Sequence, residues 1–230
     1  MATKSKLLDI RLNRGLDKKT AEHFLGFSFG NLNLGSCITQ VLPNLEIALS
    51  LKGVKQKRFI SKEIDNFYFS YKEDLEAKTK ELDGVWVIYE KKFERFISKI
   101  SDKPFPKGKV TVYLSIFDSG NNFMDSKSFQ VWIGKNTEGF VSSVVFELLC
   151  FYFDWYAKKN LKHFSDDERW HLTEQFANTF THVAAFEKIF GFAAQADVPG
   201  FGLMMPFKHI DEFIEQETVS NNQESINKEQ

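Results

Sequence analysis

The sequence predicts an α+β fold that is rich in helix and contains a small sheet. Residues 137–159 are apolar in every direction of a helical wheel, which indicates a buried central helix. Residues near 109–117 and 128–134 alternate apolar and polar side chains, as strands do. A Ser-Asp-Asp-Glu capping box opens a second helix, expected at 165–190. We expect the small sheet to pack on these two helices.

The length of the chain, a proline-containing connector and a polar C-terminal stretch predict how the chain divides into domains. A chain of 230 residues suits one domain, or one domain with an appended lobe. A stiff Lys-Pro-Phe-Pro connector near 104 separates an N-terminal lobe of helix and strand, 1–104, from a core at 105–215. The polar stretch 216–230 has almost nothing to bury, so we expect a disordered tail.

Charge and cysteine usage restrict the partners and the compartment. The formal net charge of -1 creates no global field toward nucleic acid or an anionic membrane, so we expect neither as a partner. Only Cys37 and Cys150 are present, and the opening residues lack the apolar core of a secretion signal, which predicts free thiols in a reducing cytoplasm. The longest apolar stretch is interrupted by Glu147 and is shorter than the roughly 20 residues of a membrane span. We expect a soluble protein.

The first 50 residues carry weaker signals. Residues 1–12 are basic and are expected to be loosely held, and Asp17 is expected to cap a short helix at 18–27. Two glycines and the asparagines at 27–36 predict a loop, and they match no phosphate-binding fingerprint. Pro43 predicts a break in the apolar segment that surrounds it.

The segment from 52 to 100 is predicted to change from strand to helix. Lysines and an arginine at 52–58 favour a solvated edge strand or loop, and the aromatic run at 67–71 resembles a strand. From Tyr71 to residue 100, apolar residues recur at helical spacing opposite a charged face. This pattern predicts a long amphipathic helix with at most one interruption, at Gly84.

Two polar stripes run along the two predicted core helices. On the central helix the stripe residues follow the spacing i, i+4, i+7 and i+11, and they are Ser143, Glu147, Cys150 and Asp154. On the second helix a comparable stripe is formed by His171, Glu174, Asn178 and His182. A buried glutamate without a partner is costly or takes up a proton, so we expect Glu147 to have a partner.

The order of these elements resembles the core of the zincin metallopeptidases. That core has two strands, a buried helix with a central glutamate, a linker and a second helix that carries another glutamate. In the family, the first helix bears His-Glu-x-x-His and the second supplies the third metal ligand from Glu-x-x-x-Ala/Asn. The corresponding segments here are Phe-Glu-Leu-Leu-Cys at 146–150 and Glu-Gln-Phe-Ala-Asn at 174–178, and the similarity covers roughly 109–190.

The resemblance implies roles for two residues and is broken at two others. It places Glu147 at the position of the catalytic general base and Glu174 at that of the third zinc ligand. Phe146 occupies the first histidine position and cannot coordinate a metal, and Cys150 occupies the second. A thiolate can bind zinc, but a cysteine and a glutamate without imidazole are not the set of ligands that the family uses.

Two hypotheses without catalysis follow, and neither requires a cofactor. In the first, the chain is a zincin-like domain that has lost peptidase chemistry and has a structural or protein-interaction role. Glu147 is then a buried hydrogen-bonding group, either protonated or paired with His171. In the second, the chain is an unrelated α+β interaction domain whose polar stripes satisfy each other. A protein partner, of unknown identity, fits both hypotheses.

A third hypothesis is an active hydrolase with an unusual site. Zinc would be held by Cys150 and Glu174 together with His171 or His182, or else Cys150 would act as a nucleophile beside His171. Nearer the C-terminus, a closing helix is expected at 206–216. The aromatic and methionine-rich residues at 201–207 fit either a partner-binding patch or a segment that folds back on the core.

Overall fold

The structure is a computed structural model that describes residues 5–29, 32–161, 164–194 and 209–214. The predicted patch at 201–207 and the predicted tail at 216–230 lie outside these residues. Of the predicted closing helix at 206–216, the described part at 210–214 is helical.

The α+β class is confirmed, with helices predominating. The α-helices are α1 Arg14–Phe24, α2 Leu34–Val41, α3 Gly53–Ser70, α4 Lys72–Ile100, α5 Thr137–Asn160, α6 Asp166–Thr181 and α7 Ala184–Phe190. The strands are β1 Leu8–Leu12, β2 Ser28–Phe29, β3 Leu32–Asn33, β4 Val110–Ser115, β5 Asn122–Phe123 and β6 Ser128–Trp132. Two 3₁₀ helices, at Pro43–Ser50 and Met124–Ser126, complete the described elements.

The larger sheet is mixed and has four strands in the order β1-β4-β6-β5. The strands β1, β4 and β6 run parallel, and β5 is antiparallel to β6. The two strands predicted near 109–117 and 128–134 are thus confirmed as neighbours, with Val112 opposite Phe129. The inward side chains of β4 and all but the last residue of β6 are buried, which agrees with the heavy apolar content of parallel strands.

The prediction that residues 1–12 are loosely held was wrong for the described part. Strand β1 lies at an edge of the sheet and pairs in register with β4, with Leu8 opposite Val110. Its backbone hydrogen bonds come from a segment that is distant in sequence, so a local reading of its basic side chains could not reveal them. Strand β1 also brings the start of the chain into the same sheet as β4.

Two further predictions about the first half of the chain were wrong because tertiary burial overrode local composition. The basic stretch 52–58 and the aromatic stretch 67–71 were predicted as strand or loop, yet most of both lies in α3. Ile60 and Ile64, one helical turn apart, are its buried residues, and their burial on one side stabilises the helix. A third prediction differs from the structure as well. The segment predicted as a loop at 27–36 contains the short antiparallel pair β2 and β3.

Several local predictions were confirmed. The break at Pro43 separates α2 from the 3₁₀ helix that follows. Helix α4 begins one residue after Tyr71 and continues through Gly84 without interruption. The capping box is present, with the Ser165 hydroxyl accepting from the Glu168 N–H. The predicted helix at 165–190 is divided at residues 182–183 into α6 and α7, where Val183 adopts an extended backbone conformation.

The predicted central helix is confirmed as α5, which is buried over most of its length. Its mean hydropathy of 1.3 and its 24 residues are enough for a membrane span, but 72% of the apolar window is buried inside the protein. Extensive burial of this kind is typical of a core helix, and α5 is therefore the core helix of a soluble fold.

The chain divides into two compact units. Unit 1 contains residues 1–87 and 109–140, and unit 2 contains residues 88–108 and 141–230. Unit 1 holds the larger sheet together with α1, α2 and α3. Unit 2 has an aromatic core, as the 25 phenylalanines of the sequence suggest: the Phe153 and Phe176 rings stack at 4.7 Å, and Phe213 meets both rings edge-on.

Candidate functional site

The structure places the four residues predicted for chemistry on two helices of unit 2. Glu147 and Cys150 lie on α5, whereas His171 and Glu174 lie on α6. Cys150 is buried, with 2% of its surface exposed, and Glu147 is half-buried. His171 and Glu174 are exposed. The predicted group therefore extends from a buried thiol to the protein surface.

The carboxylates of both helices act on the same thiol. Burial raises the pKa of Cys150 well above its usual value, and the nearby charges of Glu147, Glu174 and Asp154 raise it further. Burial also raises the pKa of Glu174, which the charge of His171 opposes. Glu147 of α5 and Glu174 of α6 are therefore both near enough to Cys150 to influence its pKa, and the raised pKa favours the neutral thiol.

The ligand chemistry of this cluster is unfavourable for zinc. A cysteine binds a metal as its thiolate, and the surrounding carboxylates oppose the loss of the thiol proton. In the parts of the chain that the structure describes, no three histidine, cysteine, aspartate or glutamate side chains are grouped so that they could hold a metal ion. His182, an alternative ligand, has its Nδ1 atom 2.7 Å from the Asn178 carbonyl oxygen.

A second polar cluster lies in unit 1 and was missed by the sequence analysis. Its centre is Asp17, which is fully buried on α1. The prediction that Asp17 caps this helix was wrong: Asn13 is the N-cap, and its side chain accepts a hydrogen bond from the Leu16 N–H at 3.0 Å. The Asp17 side chain instead lies inside unit 1.

Four donors surround the Asp17 carboxylate. Oδ1 accepts from the Ser115 hydroxyl at 2.7 Å and from the Gln130 side-chain amide at 3.3 Å. Oδ2 accepts from the Tyr68 hydroxyl at 2.7 Å and from the Ile116 N–H at 3.2 Å. The donors come from α3, from the end of β4 and from β6, so a single side chain of α1 connects a helix and two neighbouring strands.

The network continues beyond the carboxylate through Gln130. The side-chain oxygen of Gln130 accepts from Asn121 at 2.6 Å and from the Thr20 hydroxyl at 3.2 Å. The Gln130 N–H donates to the Asn121 carbonyl at 2.7 Å. These bonds join α1 and β6 to the segment between β4 and β5, so every polar atom of the Gln130 amide is used within the protein.

Burial dominates the electrostatics of this cluster. It raises the pKa of Asp17, although the hydrogen bonds from Tyr68, Ser115 and Ile116 lower it. Burial raises the pKa of Tyr68 far above its usual value, and the neighbouring charge of Asp17 adds to the effect. The phenol therefore keeps its proton and remains a donor to Asp17.

The chemical capacity of the cluster is small. Tyr68 also lines an open depression of about 230 Å³, together with Leu12, Arg14, Lys72, Leu75 and Glu76. A general base must reach the proton that it removes, but both oxygens of Asp17 are occupied by protein donors and are buried. The arrangement is that of a structural anchor, and the hydroxyl of Tyr68 is part of it through its bond to Asp17.

An ion-pair cluster lies beside the anchor and joins the same two helices. Lys18 and Arg14 of α1 approach Oδ1 of Asp65 on α3 at 2.7 and 3.1 Å. The hydrogen bond from Lys18 is the main reason that the pKa of Asp65 is lowered. These groups are partly exposed, so their contribution to stability is smaller than that of the buried Asp17 network.

A sequence signal for Asp17 did exist. Asp17 is spaced i, i+3 and i+4 from Thr20 and Ala21, and these three residues are the buried side of α1. An acidic residue on the inward side of a short helix indicates a buried polar contact. The donors could not be predicted, because Tyr68, Ser115 and Gln130 are distant in the sequence.

Comparisons with known proteins give no relative: no protein-family model, no curated protein and no solved structure matches this chain. The zincin resemblance therefore depends on the sequence pattern alone.

We predict that Asp17→Ala lowers the free energy of unfolding by about 3 kcal/mol or more, because three buried donors and the partly buried Tyr68 hydroxyl lose their acceptor. Tyr68→Phe removes one of these bonds and should cost about 1.5–3 kcal/mol, the range for a hydrogen bond to a charged group. The exposed Asp125→Ala is the matched control and should change stability by less than about 0.5 kcal/mol. Urea denaturation measures all three variants, and an Asp17→Ala protein as stable as the control would contradict the anchor.

We also predict that the Cys150 thiol resists alkylation in the folded protein at pH 8, because it is buried and its pKa is raised. The two single-thiol proteins, Cys37→Ser and Cys150→Ser, allow the comparison. Cys37, which is half-buried, should react in native buffer, whereas Cys150 should react only as fast as the protein unfolds. Rapid labelling of Cys150 below the ordinary thiol pKa of about 8.5 would show an activated cysteine instead.

Proposed function

We propose that this chain is a non-catalytic, zincin-like domain with a structural or protein-interaction role. The main support is the state of Cys150, which stands at the position of the second metal-binding histidine. It is a thiol whose pKa is raised by burial and, in addition, by neighbouring carboxylates, and the other histidine position is held by Phe146. In this state neither position supplies a metal ligand.

The retained acids fit a structural role. A catalytic zinc requires three protein ligands and an open position for water, and here two carboxylates are the only family-like groups that remain. Glu147 without a metal-bound water has no activated proton to remove. Its half-buried position and its charge effect on Cys150 suit a group that contributes to the packing of α5 and α6.

A second candidate is an α+β interaction domain without zincin ancestry. The observation in its favour is the Asp17 anchor. Asp17 lies outside the stretch 109–190 that resembles zincins, yet it connects α1 and α3 to the sheet of unit 1.

A thiol nucleophile at Cys150 is the least supported alternative because the thiol is buried and neutral. The two free cysteines support a reducing cytoplasm as the compartment.

The test of zincin ancestry is the double variant Phe146→His/Cys150→His, which restores both histidines of the family motif. We expect it to bind zinc far more tightly than the parent chain, because two imidazoles would join Glu174 in a set of three ligands. Isothermal titration with zinc, on protein without a histidine tag, measures the affinity. Circular dichroism confirms that each variant is folded.

The control is the triple variant Phe146→His/Cys150→His/Glu174→Gln, in which the gain in zinc affinity should be largely lost. If a folded double variant gains no affinity, the zincin part of the proposal fails and the unrelated interaction domain is favoured. Stoichiometric zinc in the unmodified chain, together with hydrolase activity that a chelator removes, would contradict a non-catalytic domain.

A further inference from the structure

The solvent side of α3 has an unusual composition. The buried residues Ile60 and Ile64 define its inner side. At 100° per residue, seven exposed residues fall on the opposite half of the helix. Two of them are the polar Asn66 and Ser70. The other five, called the α3 outer face, are Val54 at its edge and Lys55, Arg58, Lys62 and Phe69.

The cations of the α3 outer face have no acidic partner among the described residues. No described carboxylate lies within 4.0 Å of the charged groups of Lys55, Arg58 or Lys62. The neighbouring Lys57 differs, since it pairs with Glu22 at 3.4 Å. Three adjacent positive charges on one helix side repel each other, so an anionic partner would stabilise this surface.

The apolar residues of the α3 outer face are unusually exposed. Phe69 has 87% of its surface exposed, more than any other large apolar side chain that the structure describes, and Val54 has 64%. They lie at the two ends of the face, separated by roughly 22 Å at 1.5 Å per residue, with the cations between them. Tyr71, just beyond the end of α3, is also half-exposed.

We propose that the α3 outer face binds the surface of an anionic lipid bilayer. The face is the convex side of a helix, and the depression beside Tyr68 is lined by other residues. A convex helix side with lysine, arginine and protruding apolar residues suits a bilayer surface. The cations meet the phosphate and carboxylate groups of the lipids, while Phe69 and Val54 enter the boundary of the acyl chains.

The net charge of the chain does not oppose this proposal. The value of -1 is a sum over the whole sequence, whereas electrostatic attraction to a membrane acts within about a Debye length of the surface. The stretch 52–62 contains five basic residues and no acidic residue. The net charge of the whole chain therefore did not reveal this local cluster of cations. Residues 52–58 were predicted as a strand or loop, so the helical spacing that places these cations on one side was not recognised.

The experiment is co-sedimentation of the full chain with phosphatidylcholine vesicles, with and without phosphatidylserine. The parent should bind only the anionic vesicles, and high salt should release it. Arg58→Glu/Lys62→Glu should weaken binding by at least about 25-fold, taking about fivefold per removed cation. Phe69→Ser should also weaken binding, and the loss should persist at low salt because it is apolar in origin.

The matched control is Lys91→Glu/Arg95→Glu, which reverses an exposed lysine and arginine at the same i, i+4 spacing on α4. Its affinity for anionic vesicles should be within about twofold of that of the parent, because the change in charge is equal but lies outside the proposed binding surface. Equal losses in both double variants, or a parent that ignores anionic vesicles at low salt, would overturn the proposal. Binding to poly-glutamate but not to vesicles would assign the face to an acidic protein instead. These outcomes are independent of the zinc experiment.

Discussion

The fold of unit 1 depends on the buried carboxylate of Asp17. Four donors from three parts of the chain converge on its two oxygens, and the three buried ones, from Ser115, Ile116 and Gln130, would otherwise be buried polar groups without this acceptor. Such a network is favourable only when it is complete, which requires α1, α3 and the ends of β4 and β6 to lie in one arrangement. The carboxylate therefore contributes specificity as well as stability.

The same demand for partners at a buried polar group applies to the residues that resemble catalytic groups. In unit 1 the acid is saturated by protein donors, and in unit 2 burial, together with the acids on α5 and α6, raises the pKa of the Cys150 thiol. Neither arrangement leaves a free lone pair or thiolate for a substrate. The charged groups that remain available are on the surface, above all the cations and the exposed phenylalanine of α3. The binding partners of these surface groups are therefore the best guide to the function of the chain.

Local patterns predicted much of the core but not the contacts between distant segments. Local patterns were sufficient to predict four elements: apolar residues all round the helical wheel for α5, alternating side chains for β4 and β6, and the capping box for α6. The strand β1 and the helix α3 were mispredicted, because pairing with β4 and burial of Ile60 outweighed local composition. Helical spacing was enough to identify the polar stripes on α5 and α6, whereas Asp17 was mistaken for a cap because its partners lie far away in sequence.

The most direct measurement of the anchor is the pKa of Asp17, obtained from the carbon NMR titration of its carboxyl group and assigned with Asp17→Asn. Burial is the largest influence, so the pKa should lie above the ordinary aspartate value of about 3.9. Tyr68→Phe removes a donor that stabilises the charged form, so the pKa should rise further in that variant. A pKa at or below the ordinary value, unchanged in Tyr68→Phe, would show a solvated carboxylate and contradict the anchor.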